Sequence, residues 1–245
     1  GITNALLQHG ADPNIQTSDH GWSPLIMATR RGYASIATAL LKHGANPNLR
    51  TKVGWTALIR AGVEGHASIG RELLKHGADP NAVGNDGYTA LIYAVEQGHQ
   101  SMVSILLNNG ADVSYQNKYN DTALNRATYH GNTKIAQLLV VHDADVDHQG
   151  FKGMSSLQLA AEKGHRKIVQ LLLSQEAKVN LRDDLGWTAL IQAASKGFAP
   201  IVRLLLKHDA DPTIKSNVGK KAEQYALEKG HSGVVSILTQ NRGKD

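Results

Sequence analysis

The chain has 245 residues, with 26 Lys and Arg against 21 Asp and Glu for a formal charge of +5, and is 41% hydrophobic, 19% charged and 5% aromatic. This supports a core of Leu, Ile, Val and Ala and excludes a disordered, weakly hydrophobic chain. The absence of cysteine excludes disulfides, thiolate zinc sites and a cysteine nucleophile. No run approaches about 18 apolar residues and no basic-then-apolar leader opens the chain, so neither a membrane span nor a signal peptide is expected.

Fixed-register repetition organises the rest. The stretch GWTALIRA at residues 54–61 returns as GYTALIYA at 87–94 and GWTALIQA at 186–193. Its leucine recurs at Leu25, Leu58, Leu91, Leu124, Leu157 and Leu190, each 33 residues after the last, and the next step lands on Glu223. An alanine row runs from Ala28 to Ala226, a glycine row from Gly32 to Gly230, and a second leucine row from Leu40 to Leu238.

In chain order, residues 1–17 supply only a second helix and its turn, which implies a longer parent or a missing cap. Residues 18–50 form the first full unit, and the turn before it carries one extra residue. In residues 51–83 Thr56 is a good N-cap, the first helix stops at Gly65, a second runs from His66 to Gly77, and Pro, Asn, Asp and Gly fill the turn that follows. Gly62 and Gly70 lie inside these helices at up to about 1 kcal/mol each, so this unit is expected to be weak. Residues 84–116, 117–149, 150–182 and 183–215 repeat the plan, with Asp143, Glu176 and Asp209 in place of the turn glycine. Glu tolerates the left-handed region less well than Asp, so the Glu176 unit is expected to carry about 1 kcal/mol of strain. In residues 216–245, Lys220, Lys221 and Glu223 replace apolar or small positions, as a C-terminal cap would require. Neither helix of a unit is long enough to be stable alone, so neighbouring units must cover each other's apolar faces in an elongated stack.

Candidate chemistry dissolves into the repeat. Nine of the twelve histidines occupy two columns, one before the turn and one opening the second helix, at spacings too wide for metal ligation. Asp143, Asp145 and Asp147 mimic a calcium loop, but His148 and Met154 stand where it needs Gly and Glu. There is no phosphate loop or nucleophile elbow, and neither an enzyme nor a cofactor is expected.

The period and the motifs SPLIMA (23–28), TALIRA (56–61), Gly65-His66 and LLKHGADPN (73–81) resemble the ankyrin repeat family over essentially the whole chain. The resemblance implies an all-α ankyrin-repeat solenoid, a single domain of stacked helix-turn-helix units with projecting β-turn fingers. The family's histidine after the leucine is Ile26, Ile59, Ile92, Asn125, Gln158, Ile191 and Gln224 here, so its hydrogen-bonding role is expected to be absent. The resemblance further implies a protein or peptide partner in a concave groove. A monomer in isolation and a cytoplasmic location, with the nucleus as second choice, are expected. The lack of a long apolar run argues against a membrane, and the scatter of basic residues round the repeat against a nucleic-acid partner. Hydroxylation at the turn asparagines Asn14, Asn48, Asn81 and Asn180 is a family trait that these positions share.

By the same resemblance, the row Trp22, Trp55, Tyr88, Asp121, Met154, Trp187 and Lys220 lies on the fingers edging the groove. The groove also takes Arg30 and Arg31, Arg60, Tyr93, Arg126 and Tyr129 from the helices, and Lys52, Tyr119 and Phe151 from the finger tips. Trp, Tyr and Arg dominate binding hot spots, so these are the candidate partner-binding residues; the competing reading is that the tryptophans only pack the fingers. Groove charges are mixed, Lys52, Arg60 and Arg126 against Glu64, Glu96 and Asp121, so no strongly acidic partner is expected. The alternative function is a small-ligand or nucleotide-sensing ankyrin domain, with Trp22, Tyr88, Lys52 and Arg60 as its contacts.

Overall fold

A short hydroxyl side chain starts almost every inner helix. Ser23, Thr56, Thr89, Thr122, Ser155 and Thr188 each accept a backbone N–H three residues on, opening α2 (Pro24–Arg30), α4 (Ala57–Glu64), α6 (Ala90–Glu96), α8 (Ala123–Tyr129), α10 (Ser156–Lys163) and α12 (Ala189–Ser195). Before α14 (Ala222–Glu228), Gln224 instead reaches back to accept the Lys221 N–H at 2.9 Å. The outer helices are α1 (Ile2–Gln8), α3 (Ala34–Lys42), α5 (Ala67–Lys75), α7 (Gln100–Asn108), α9 (Thr133–Val141), α11 (Arg166–Ser174), α13 (Ala199–Lys207) and α15 (Ser232–Asn241). The computed structural model describes residues 2–241; Gly1 and residues 242–245, which the repeat arithmetic assigns to the first partial unit and the cap, lie outside the described residues. Among the described residues the β structure amounts to two isolated antiparallel bridges, Val83–Thr89 and Gln149–Ser155.

The chain divides into two compact units, Gly1–Lys118 and Tyr119–Asp245. In the first, α2, α4 and α6 stack in sequence, backed by α1, α3, α5 and α7. In the second, α8, α10, α12 and α14 stack likewise, backed by α9, α11, α13 and α15. The repeated rows form the cores: Leu58, Ala61 and Leu73 are at most 1% exposed, as are Leu157, Ala160 and Leu172. Where Glu223 interrupts the leucine row it is half-buried and accepts the Thr239 hydroxyl at 3.0 Å.

The histidine columns are structural. Nδ1 of His9, His43, His76 and His142 donates to the carbonyl four residues back, and Nε2 of His99 and His231 donates to Val63 and Ser195 of the preceding repeat, both at 3.1 Å. A carbonyl can only accept, so each of these ring nitrogens carries the proton. The turn asparagines clamp neighbouring turns with both ends of the amide. Asn48 Nδ2 donates to the Gly77 carbonyl at 2.9 Å while its Oδ1 accepts the Asp79 N–H at 2.9 Å, and Asn14, Asn81 and Asn180 repeat the pattern.

Two sequence expectations need correction. Gly62 is not simply a weak point: a Cβ there would lie 2.6 Å from the Ala90 carbonyl oxygen, so its absence allows α4 and α6 to approach. At Gly70 the obstacle is the flexible end of Met102, also 2.6 Å away, which can move. The hydrogen-bonding role after the leucine is also retained in the second unit. Asn125 Oδ1 accepts the Thr122 N–H at 3.0 Å while its amide donates to Ser156 Oγ; Gln158 Oε1 accepts the Ser155 N–H at 2.8 Å and its amide donates to the Trp187 carbonyl. An amide supplies the acceptor and donor that the sequence comparison tied to an imidazole.

The left-handed turn residues are as read: φ is 63° at Asp143, 57° at Glu176 and 61° at Asp209. Glu176→Gly is therefore expected to stabilise the protein by about 1 kcal/mol in urea unfolding. Gly62→Ala is expected to destabilise it by about 1–3 kcal/mol despite its better helix propensity, whereas Gly70→Ala costs less.

Candidate functional site

The finger hairpins set the aromatic row. In the second finger the Thr51 N–H donates to the Trp55 carbonyl at 2.9 Å and the Trp55 N–H donates to Thr51 Oγ1 at 3.0 Å, which fixes the indole just ahead of the Thr56 cap. The first finger closes the same way between Thr17 and Trp22, and the extra residue is taken up in its tip. In the third, Tyr88 donates its N–H to Asp86 Oδ1.

Inner-helix side chains interleave with this row in the first unit. The Arg30 guanidinium lies 4.5 Å from the Trp22 ring centre; that of Arg60 lies 4.3 Å from Trp55 and 6.0 Å from Trp22. Trp55 meets Tyr93 edge-on at 5.1 Å, and Tyr93 meets Tyr88 at 5.2 Å. The sequence-predicted Arg30, Trp22, Arg60, Trp55, Tyr93 and Tyr88 are thus one continuous cation–π and aromatic ladder. Arg31 is exposed and ends α2 through its backbone N–H, while Lys52 donates its ammonium to the Ser18 carbonyl at 2.7 Å, bridging adjacent fingers. Beside the Trp22 end, Thr17, Asp19, His20, Trp22, Met27 and Arg30 line an open cleft of about 480 Å³. The Thr17 hydroxyl and then His20, whose Nδ1 is 2.6 Å from the Asp19 carboxylate, hold that acid well below the usual carboxylate range.

Asp86 was missed. It accepts Trp55 Nε1–H at 3.1 Å and also the Tyr93 hydroxyl, locking two rungs together. In the sequence it sits inside the turn run GNDG and reads only as turn chemistry. Burial first, and then the bond to Asp86, push the Tyr93 hydroxyl well above the usual tyrosine range. Burial draws Arg60 downward against the opposing pull of Glu64, whose carboxylate is 3.5 Å from Nη1, and Arg60 Nε is buried without a hydrogen-bond partner.

The second unit uses other parts. Tyr119 and Phe151 are half-exposed finger-tip rings 6.2 Å apart. The Tyr129 ring is flanked by Arg126 at 4.9 Å and Lys163 Nζ at 4.6 Å. Asp121, read as a groove charge, is instead buried: it pairs with Arg126 at 3.4 Å and accepts the Phe151 N–H at 2.8 Å. The Trp187 ring packs tilted against Tyr225 at 4.5 Å, a contact across 38 positions that no motif announces.

The family model for ankyrin repeats (3 copies) matches residues 1–84, 47–117, 71–150, 114–183 and 157–245, and the chain belongs to the ankyrin repeat family. Among solved structures, the human ASB11 ankyrin repeat domain is similar to it, with a TM-score of 0.78 and 27% identity over 91% of this chain and 100% of that one. No curated protein matches the chain. Ankyrin repeats are in general non-catalytic protein-interaction modules. No helix among the described residues is long and apolar enough to cross a membrane, and no three His, Cys, Asp or Glu side chains there are placed to hold a metal.

The folded chain keeps Tyr93 protonated to higher pH than the unfolded chain, whose tyrosine ionises near 10.0. The stability this contributes is complete below that value and is lost as pH rises past it. Tyr93→Phe is therefore expected to lose less stability than the wild type above about pH 10, read as the urea midpoint against pH.

Proposed function

We propose that the chain is a non-catalytic interaction module holding a peptide or folded partner against its inner helices and fingers. The observation that carries this reading is the Arg30–Trp22–Arg60–Trp55–Tyr93–Tyr88 ladder. These are the residue types that dominate hot spots, and mutual stacking plus the Asp86 bonds hold them in place before a partner arrives, which lowers the ordering cost of association. Arg31 borders this surface as an exposed charge and Lys52 as one tied to the neighbouring finger, and Tyr119, Arg126, Tyr129, Phe151 and Trp187 are the corresponding candidates in the second unit.

The test is capture of partners from a lysate, read by mass spectrometry and followed by affinity measurement, using the wild type beside a Trp22→Ala, Trp55→Ala, Tyr88→Ala variant of matched circular dichroism. Loss of a partner from the folded variant, with single tryptophan substitutions weakening it by about tenfold or more, is the expected result. An unchanged partner list would return the tryptophans to finger packing.

A further inference from the structure

Charge on the inner face of the second unit is arranged differently from what the order of residues suggests. Two clefts open there. One, of about 230 Å³, has Tyr129 and Phe151 in its walls and carries Arg126, Lys152 and Lys163. The other, of about 590 Å³, runs past Leu185 and Trp187 and carries Lys152, Lys196 and Lys229. Lys152 lines both.

Three carboxylates also line these clefts, but two are turned to internal work. Asp121 is buried against Arg126 and the Phe151 N–H. Asp183 is buried and accepts the Leu185 and Trp187 N–H groups at 2.9 and 2.8 Å and the Gln192 amide at 3.2 Å. Glu162 is half-buried, 3.9 Å from Lys163. Solvent therefore meets four exposed lysines, Lys152, Lys163, Lys196 and Lys229, against the half-buried Glu162 and, on the next finger, the exposed Asp184, whose N–H donates to the Lys152 carbonyl.

Lys152 has φ 58° and ψ 27°, left-handed backbone that a side chain rarely adopts. The equivalent tip residues Tyr119, Leu185 and Val218 are not in that region. The strained turn sets a cation between the two clefts, the kind of outlier that accompanies binding sites. Next to these cations Phe151 and Leu185 are 52% and 62% exposed, offering apolar anchors.

We propose that this face docks an acidic peptide segment carrying apolar side chains, its carboxylates against the lysines and its apolar groups beside Phe151 and Leu185. The inference goes beyond the Trp22–Tyr93 ladder and uses none of its residues. Alternating side chains of an extended segment suit two clefts separated by a cationic ridge. A nucleic acid would draw on a run of open aromatic faces for its bases, whereas the Tyr129 ring already has Arg126 at 4.9 Å and Lys163 Nζ at 4.6 Å from its centre.

The test is selection of random phage-displayed peptides on the full chain, followed by fluorescence anisotropy of the labelled consensus peptide. The expected consensus intersperses Asp or Glu with apolar residues. Its affinity should fall about tenfold or more in Lys152→Glu/Lys196→Glu and weaken between about 50 and 300 mM salt, yet survive Trp22→Ala/Trp55→Ala. Lys152→Gln and Lys196→Gln give the same reading, more weakly, should the double reversal not fold. The proposal is overturned by selection without an acidic consensus, or by unchanged affinity in the folded lysine variants. It is equally overturned if those variants lose binding to a thymidine oligonucleotide or a phosphatidylserine vesicle while no acidic peptide binds. An acidic consensus lost only with the tryptophans would sink this proposal and leave the ladder reading standing.

Discussion

Close approach of short inner helices is the constraint on which the structure depends. Helices of seven to ten residues cannot persist alone in water, so each must bury its apolar stripe on a neighbour. The small residues make this possible: Ala61, Ala94, Ala160 and Ala193 are fully buried, and at Gly62 even a methyl group would strike the next helix. The same packing explains why polar groups at the helix starts are satisfied locally. A Ser or Thr hydroxyl takes one open N–H, and in the second unit an Asn or Gln side chain returns the bond while reaching the next repeat.

That scaffold leaves the fingers and the inner helical face to vary, and the two units vary them differently. In the first, aromatic rings and guanidinium groups alternate, and a carboxylate, Asp86, is used to fix them. In the second, Asp121 and Asp183 are buried in finger hydrogen bonds and the cleft lysines remain outside. One repeat geometry thus presents interleaved rings and guanidinium groups in one unit and lysine-lined clefts in the other. Fold alone does not select between such surfaces, because the backbone is common to both.

Left-handed backbone marks where the repeat tolerates local cost. Asp143, Glu176 and Asp209 take the helix-ending position that glycine fills elsewhere, and the neighbouring Schellman-type bonds hold them there. Asn120 and Lys152 add two finger positions that the repeat arithmetic did not flag. Asn enters this region at modest cost; Lys does not, and its finger is also the one whose tip forms the short 3-10 turn Phe151–Gly153.

The register of leucine, alanine and glycine, read from the sequence alone, fixed the class of fold, the helix starts, the left-handed turns and the structural character of the histidines. These properties follow from spacing along the chain, which a strict period of 33 makes explicit. The candidate binding residues were also legible as types in columns, and six of them, from Arg30 to Tyr93, meet in one ladder. What the tertiary structure decided was which charges face solvent and which are consumed. Asp121 and Asp86 carry the same carboxylate, yet one ties its finger to the next through the Phe151 N–H and the other joins Trp55 to Tyr93. Those bonds span 7 to 31 residues and depend on finger curvature and side-chain rotamer, neither of which is written in residue identity or period.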